Sequence, residues 1–164
     1  MEREQEFGDE NYRLETKNMK ITIYTDGGAR GNPGPAAIGA VIIQSGQTIQ
    51  KYGEFIDEAT NNQAEYQAVI FALKKVKLLF GKKPAKKMEI ELYSDSELIV
   101  NQLNHKYKIK EEDLQPLFLK VWNLTLDFKQ VVFKHIARTR NKEADRLVNQ
   151  ALDNQGKASV LPGL

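Results

Sequence analysis

Four acidic residues lie at the predicted ends of secondary-structure elements, and together they could hold divalent metal ions. Asp26 ends an apolar strand before a glycine- and proline-rich turn, and Asp95 ends a later strand. Glu65 and Asp145 fall in the first turns of two predicted helices, beside apolar stripes where a carboxylate normally needs a partner or a metal. Oxygen ligands favour Mg²⁺ or Mn²⁺ over zinc. Two such ions about 4 Å apart activate water and stabilise the leaving oxygen in phosphodiester hydrolysis.

Each of these acidic residues, taken singly, also has a purely structural interpretation. Glu65 follows Asn62 by three residues, which is close to a capping box. Asp95 could be a helix N-cap, and Asp145 could favour the positive end of its helix dipole. The combination favours the metal site, because right-handed crossovers would place the first and fourth strands side by side. Asp26 and Asp95 would then meet at the carboxyl ends of strands, where open α/β sheets bind ligands.

The order of the predicted elements is β-β-β-α-β-α-α-β-α, which indicates an α/β fold. A mixed five-stranded sheet is expected, with a three-strand antiparallel meander followed by parallel strands and with helices on both faces. Trp122, in the third helix, is expected to pack in the core. Apolar stretches predict the strands Lys20–Tyr24, Ala36–Gln44, Thr48–Asp57, Met88–Ser94 and Gln130–Ala137. Helical spacing predicts helices from after Asn62 to Phe80 and over Ser96–Leu103, Leu114–Leu126 and Asn141–Asn154.

The composition excludes several kinds of site and favours a single domain. The 164 residues include no cysteine, which excludes disulfides, zinc–thiolate sites and thiol nucleophiles. No apolar run approaches the ~18 residues of a membrane span, so we expect a monomeric cytoplasmic protein with no membrane contact. Residues 1–18 carry six acidic and three basic residues, and we expect a flexible acidic extension there. Residues 19–155 are the expected domain, mildly basic as suits a polyanionic partner, and 156–164 are the expected tail.

Four motifs in one order carry a resemblance to a known family. The segments TDGGARGNPG, TNNQAEYQAV, YSDSELIVNQL and HIARTRNKEADRLVNQA together resemble a type 1 ribonuclease H of the shorter-looped, archaeal type. The match runs from about Lys20 to Asn154. The resemblance implies an endonuclease that hydrolyses the RNA strand of RNA–DNA hybrids with two Mg²⁺, for which Mn²⁺ can substitute. The products would carry 5′-phosphate and 3′-hydroxyl ends.

The same resemblance implies roles for individual residues. It makes Asp26, Glu65, Asp95 and Asp145 the metal-binding carboxylates. Asn32 and Asn62 are the expected readers of the minor groove, because an amide both donates to and accepts from a 2′-hydroxyl. Turn formation and helix capping are their structural alternatives. Thr60 and Asn61 resemble a pocket for a DNA-strand phosphate at a helix N-terminus. Gly27 and Gly28 are assigned to the same substrate surface.

The sequence departs from the best-known bacterial pattern at three places. A histidine in a longer loop before the last carboxylate is replaced by a short loop that offers Arg138, with Arg140 less favoured. Arginine can stabilise developing charge but cannot act as a base. His135 is interpreted as a strand residue. The role of Glu97, where many relatives have a substrate-contacting glutamine, stays open.

The basic protrusion that grips substrate in that pattern is also missing. Residues 104–113 are too short and too mixed in charge to supply it. A lysine turn, made of Lys82, Lys83, Lys86 and Lys87, either compensates electrostatically or is a solvated face. We therefore expect weak, salt-sensitive binding of substrate.

Three other functions remain to be weighed against this nuclease. An inactive nucleic-acid-binding module of the same fold is disfavoured, because a module that only binds nucleic acid would be expected to have replaced acidic residues near the phosphates. A strand-transferring domain of the wider polynucleotidyl-transferase group is disfavoured by the type 1 motifs and by the absence of companion domains. A phosphate-cofactor protein is excluded by the lack of a G-x-G-x-x-G motif or P-loop after the first strand. Some short-loop relatives also cut double-stranded RNA, a partner that the sequence leaves undecided.

Overall fold

The computed structural model describes residues 19–158, so the expectations for residues 1–18 and 159–164 lie outside the described residues. Its strands are β1 (Lys20–Ala29), β2 (Gly34–Gln44), β3 (Gln47–Ala59), β4 (Glu89–Ser94) and β5 (Gln130–His135). Its helices are α1 (Asn61–Phe80), α2 (Lys82–Ala85), α3 (Glu97–Leu103), α4 (Gln115–Thr125) and α5 (Lys142–Ala158), with a 3₁₀ turn at Arg138–Arg140. None of these helices is long and apolar enough to cross a membrane.

The five strands form one mixed sheet in the order β3-β2-β1-β4-β5. The first three strands pair antiparallel, and β1, β4 and β5 pair parallel. The backbone of α1 lies against Gly27 and that of α5 against Gly39. Because Gly39 pairs with Asp26, one residue away from Gly27, the two helices cover opposite faces of the sheet. The predicted fold class is confirmed.

The strand β1 is longer than predicted and carries Asp26 inside it. Its parallel pairing with β4 ends at Thr25 and Ser94, whereas its antiparallel pairing with β2 continues to Ala29 and Ala36. Asp26 therefore lies where β1 separates from one neighbour and stays attached to the other. The expectation that the chain turns directly after Asp26 is wrong, because the hydrogen bonds to β2 keep it extended.

Close packing explains why glycine follows Asp26 within this strand. A Cβ atom on Gly27 would lie 2.2 Å from the backbone carbon of Ala64 in α1, closer than real Cβ contacts. The missing side chain lets the first turns of α1 approach β1 directly. This contact brings Glu65 next to the strand that carries Asp26.

The core lies between the sheet and α1, α3 and α4, and it does not include Trp122. Val121 and Leu117 are the buried side chains of α4, at 1% and 8% exposure. Trp122 is 46% exposed, together with Leu119 and Leu126 on the outer side of the helix. The expectation of a core tryptophan is wrong, because the inner stripe of α4 already fills the space against α1.

Helix α5 is longer than predicted, and the lysine turn contains the short helix α2, which was not predicted. Helix α5 continues to Ala158, four residues beyond its predicted end at Asn154, and its last turns are tied to the β1–β2 connection by an ion pair of 2.7 Å between Arg30 and Asp153. The lysine turn follows the C-terminal end of α1, roughly 20 Å along the helix from Glu65. Its position favours the interpretation of a solvated face over a substitute for the basic protrusion.

Candidate active site

Three of the predicted carboxylates converge where β1 and β4 separate. One oxygen from each of Asp26, Glu65 and Asp95 can be chosen so that all three lie within 4.8 Å of one another. Asp26 is 7% exposed and Glu65 is 9% exposed, while Asp95 is half-buried. None of the ion pairs among the described residues involves any of the three.

Helix capping explains neither Glu65 nor Asp95. Thr60 caps α1: its hydroxyl accepts from the N–H of Gln63 at 3.1 Å, and the Gln63 side chain accepts from the N–H of Thr60 at 2.9 Å. Ser96 caps α3 by accepting from the N–H of Ile99 at 3.3 Å. The alternative interpretations of Glu65 as part of a capping box and of Asp95 as an N-cap are wrong, since other residues do both tasks.

The electrostatics of this cluster are unfavourable without a cation. Burial, and then the negative charge of Asp95, raise the pKa of Asp26 to about 7. Burial, and then the charge of Asp26, raise the pKa of Glu65 well above its usual range. The N–H of Gly27 opposes both shifts without cancelling them. At neutral pH the site therefore holds a proton or needs a positive ion.

The donor atoms fit a divalent metal ion. All three groups are carboxylates, which are the ligands that Mg²⁺ and Mn²⁺ prefer. The Oε2 atom of Glu65 is buried and makes no hydrogen bond within the described residues. A buried carboxylate oxygen without a partner is costly, and coordination of a metal would satisfy it.

Asp145 lies at the exposed rim of the same site. It is in the first turn of α5, where a favourable dipole interaction and a metal role are compatible. Its charge contributes to the raised pKa of Asp26. The amide of Asn149, one turn later, donates to the backbone carbonyl of Asp145 at 3.1 Å and to its carboxylate at 3.4 Å. Asp145 thus joins the site without entering the group within 4.8 Å.

All four carboxylates line one cleft of about 500 Å³. Arg138, from the 3₁₀ turn, lines it too, whereas His135 is exposed at the end of β5 and Arg140 does not line the cleft. The interpretation of His135 as a strand residue is confirmed. Glu97 is exposed at the start of α3, outside the lining of the cleft.

The predicted substrate residues cluster at the N-terminus of α1, beside the carboxylates. The side-chain oxygen of Asn32 accepts from the N–H of Asn61 at 3.0 Å, and that of Asn61 accepts from the N–H of Ala29 at 2.9 Å. These bonds fix the β1–β2 turn, with its cis Asn32–Pro33 peptide, against the helix. Asn62 lines the cleft, and no described residue hydrogen-bonds its amide.

The remaining predicted positions are also close to the cleft. Gly27, Gly28, Asn61 and Asn62 line it. Asn32, which is bonded to Asn61, and Thr60, the N-cap of α1, are not among its lining residues. Gly28 has free space on its open side, since a Cβ atom there would have Val148 as its nearest neighbour, at 3.6 Å. For Gly27, packing against α1 accounts for the glycine without any substrate contact.

Sequence reasoning missed two amides that hold carboxylates of this site. Asn149 is bonded to Asp145, and Asn141 donates to Asp95 at 3.1 Å and to the carbonyl of Thr25 at 2.8 Å. An asparagine before a helix normally indicates a cap. The position of Asn141, four residues before Asp145, was the one indication in the sequence that it could belong to this site.

Comparison with known proteins gives a consistent set of relatives. A family model described as Reverse transcriptase-like matches residues 24–151. A bifunctional protein of Mycobacterium tuberculosis is 37% identical over 144 residues, which are 87% of this chain and 38% of that protein. Ribonuclease HI of Halobacterium salinarum is 38% identical over 136 residues, 82% of this chain and 65% of the relative. The chain thus spans less than two thirds of the length of either relative.

Solved structures match over nearly their whole length. LC11-RNase H1, isolated from compost by a metagenomic approach, is 47% identical with a TM-score of 0.78, covering 84% of this chain and 98% of that one. The same protein solved in complex with an RNA/DNA hybrid gives the same identity and TM-score, with 82% of this chain covered and 98% of that chain.

Proposed function

The chain belongs to the type 1 ribonuclease H family, and we propose that it is an endonuclease that hydrolyses the RNA strand of RNA–DNA hybrids. The observation that carries this proposal is the convergence of Asp26, Glu65 and Asp95 to within 4.8 Å in a cleft that Arg138 also lines. The binding of an RNA/DNA hybrid by LC11-RNase H1, with 47% identity to this chain, supports the choice of substrate. The products would be 5′-phosphate and 3′-hydroxyl ends.

The four carboxylates are proposed to hold two divalent ions, with Mg²⁺ as the ordinary metal and Mn²⁺ able to substitute. Asp26, Glu65 and Asp95 supply the convergent oxygens, and Asp145 completes the set from the rim. When bound, the ions supply activation of water and neutralisation of charge on the phosphodiester. Metal binding would displace the proton that the raised pKa values of Asp26 and Glu65 retain at neutral pH.

Arg138 is proposed to stabilise negative charge on the scissile phosphate. It lines the same cleft as the carboxylates, and a guanidinium presents several N–H donors that can hold a phosphate. A fixed cation at the place where charge develops lowers the barrier more than it stabilises bound substrate. His135, exposed at the end of β5, is not needed for this role.

Recognition of the hybrid is proposed to take place at the N-terminus of α1. The Asn62 amide, which no described residue hydrogen-bonds, can donate to and accept from a 2′-hydroxyl in the minor groove. The Asn32 oxygen is occupied by Asn61, so its NH₂ group is the part left to contact substrate. Thr60 and Asn61 would hold a DNA-strand phosphate at the positive helix end, with Gly27 and Gly28 forming the floor beside them.

The proposed catalytic domain spans residues 19–155 and acts as a monomer. The acidic extension, the tail and a cytoplasmic location stay predictions. Whether double-stranded RNA is a second substrate depends on how strongly recognition relies on the DNA strand. Cleavage of duplex RNA, compared with cleavage of the hybrid, tests whether double-stranded RNA is a second substrate.

Cleavage of an end-labelled RNA–DNA hybrid, beside duplex RNA and duplex DNA, tests the proposal. Wild-type protein with Mg²⁺ or Mn²⁺ should cut the hybrid, and EDTA should stop the reaction. Asp95→Asn should abolish cleavage with an unchanged circular dichroism spectrum, whereas Glu97→Gln, outside the cleft lining, should remain active. Robust cleavage by Asp95→Asn would contradict the metal assignment. Tight hybrid binding without any cutting by wild type would favour the inactive module.

A further inference from the structure

We propose that Asn141 is a positioning residue that holds the Asp95 carboxylate in the orientation required for metal binding, an inference that rests on the proposed function. Asn141 immediately precedes α5 and is 1% exposed. Its Nδ2 group donates to the carbonyl oxygen of Thr25 at 2.8 Å and to Oδ2 of Asp95 at 3.1 Å. One amide thus connects α5 with β1 and with the residue after β4.

The amide occupies the place where the β1–β4 ladder stops. The last parallel pair is Thr25 with Ser94, and Thr25 is fully buried. Beyond that pair the chain after β4 turns away, because the N–H of Ser96 donates to the Ser94 hydroxyl at 3.1 Å. If Asn141 were replaced, the buried Thr25 carbonyl would lose the hydrogen bond that the Asn141 amide donates to it. Asn141 therefore lets the two strands separate and leaves Asp26 and Asp95 facing one site.

The side chain of Asn141 does not do what an asparagine at this position usually does. An N-cap asparagine accepts a hydrogen bond from an N–H of the first helical turn through its side-chain oxygen. Here Oδ1 is buried and has no hydrogen-bond partner within the described residues. Only the backbone takes part in starting α5, since the N–H of Asp145 donates to the Asn141 carbonyl at 3.1 Å. The Asn141 side chain therefore does not cap α5, and it donates instead to Thr25 and Asp95.

This arrangement ties two metal-site carboxylates to one residue. The Nδ2 bond restricts rotation of the Asp95 carboxylate, so that group presents one orientation to Asp26 and Glu65. The backbone bond sets the start of the helix that carries Asp145. Residues that orient metal ligands typically change metal affinity or activity by about 10- to 100-fold when they are replaced.

The test compares Asn141→Ala with the matched control Asn104→Ala in the full chain. Asn104 also donates its amide to a backbone carbonyl of another element, that of Phe133 at 3.0 Å, but contacts no carboxylate of the site. Isothermal titration with Mn²⁺ should show about 10- to 100-fold weaker binding for Asn141→Ala, and wild-type affinity for Asn104→Ala. The kcat for the hybrid should fall with Asn141→Ala while KM stays nearly constant.

A second variant separates positioning from folding. Asn141→Ser restores an ordinary helix cap, but serine is too short to bridge Thr25 and Asp95. We expect its melting temperature near that of wild type and its Mn²⁺ affinity as weak as that of Asn141→Ala. Adding Asn141→Ala to Asp95→Asn should weaken Mn²⁺ binding no further, because the two residues act through one interaction.

Several results would overturn this role. Wild-type Mn²⁺ affinity in Asn141→Ser would do so, and so would a lower melting temperature in Asn141→Ala with unchanged affinity and kcat. Full additivity with Asp95→Asn would also count against it. If wild-type protein binds Mn²⁺ but does not cut the hybrid, the proposed function fails, whereas the Mn²⁺ titrations still decide the role of Asn141.

Discussion

Replacing Asp26 by asparagine is expected to stabilise the metal-free protein while abolishing cleavage. Burial and the neighbouring charges of Asp95 and Asp145 oppose ionisation of Asp26. Asparagine has nearly the same shape and no charge to bury, so the variant escapes this cost. The stability gain should therefore depend on pH, and it should be larger at pH 8 than at pH 5.

The sign and size follow from the pKa of Asp26, which is raised from 3.8 to about 7 in the folded protein. Between pH 3.8 and about pH 7 the folded state binds more protons than the unfolded state, so the stability of wild type falls as pH rises through this window. One pKa unit corresponds to about 1.4 kcal/mol, so the full shift costs roughly 4 kcal/mol above pH 7. For a chain of this size, that free energy is on the order of 10 °C in melting temperature.

Urea and thermal unfolding in EDTA, at pH 5, 6, 7 and 8, would measure this effect. Glu54→Gln, which neutralises an exposed carboxyl of β3 away from the cleft, is the control and should show little change. Addition of Mg²⁺ should stabilise wild type more than Asp26→Asn, because the variant lacks one of the charged ligands proposed for the metal. A gain that does not vary with pH, or a variant less stable than wild type at every pH, would refute the reasoning.

Three further predictions concern packing, catalysis and capping. Gly27→Ala should lower the free energy of unfolding in urea by at least about 2 kcal/mol, because its Cβ would lie 2.2 Å from the Ala64 backbone. Arg138→Ala should reduce kcat on the hybrid about 100-fold with an unchanged melting temperature, because a cation is lost from the cleft. Thr60→Ala should cost about 1 kcal/mol in thermal unfolding, because the bond to the N–H of Gln63 is removed.

The two stability predictions have matched control variants, and the catalytic prediction has a contrary outcome. Gly28→Ala, with 3.6 Å to its nearest neighbour, should leave stability almost unchanged, and equal losses at both glycines would contradict the packing argument. Wild-type turnover in Arg138→Ala would contradict the role proposed for Arg138 and make His135 the next candidate for it. Thr60→Ser keeps a capping hydroxyl and should retain wild-type stability. If it loses as much as Thr60→Ala, the cap is not the reason for the loss.

The sequence by itself determined the order of the strands and of the longer helices, and it singled out four carboxylates that line one cleft of the structure. Period-two and helical spacing are local properties, so the strands, α1 and its end before Gly81 were predictable. The neighbourhood of Asp26 and Asp95 followed from the handedness of crossovers, which is a general rule of chain topology. The motif resemblance was sufficient for the family, because each motif is a contiguous stretch.

Only the tertiary structure decided how these residues act together. The continuation of β1 past Asp26 depends on hydrogen bonds to β2, and the raised pKa of Asp26 depends on burial and on charges that are distant in sequence. Trp122 was misplaced because apolar character does not tell which side of α4 faces the core. From the sequence, Asn141 could be interpreted only as a helix cap. Its partners, Thr25 and Asp95, are 116 and 46 residues away, and contacts at such separations arise only when the chain is folded.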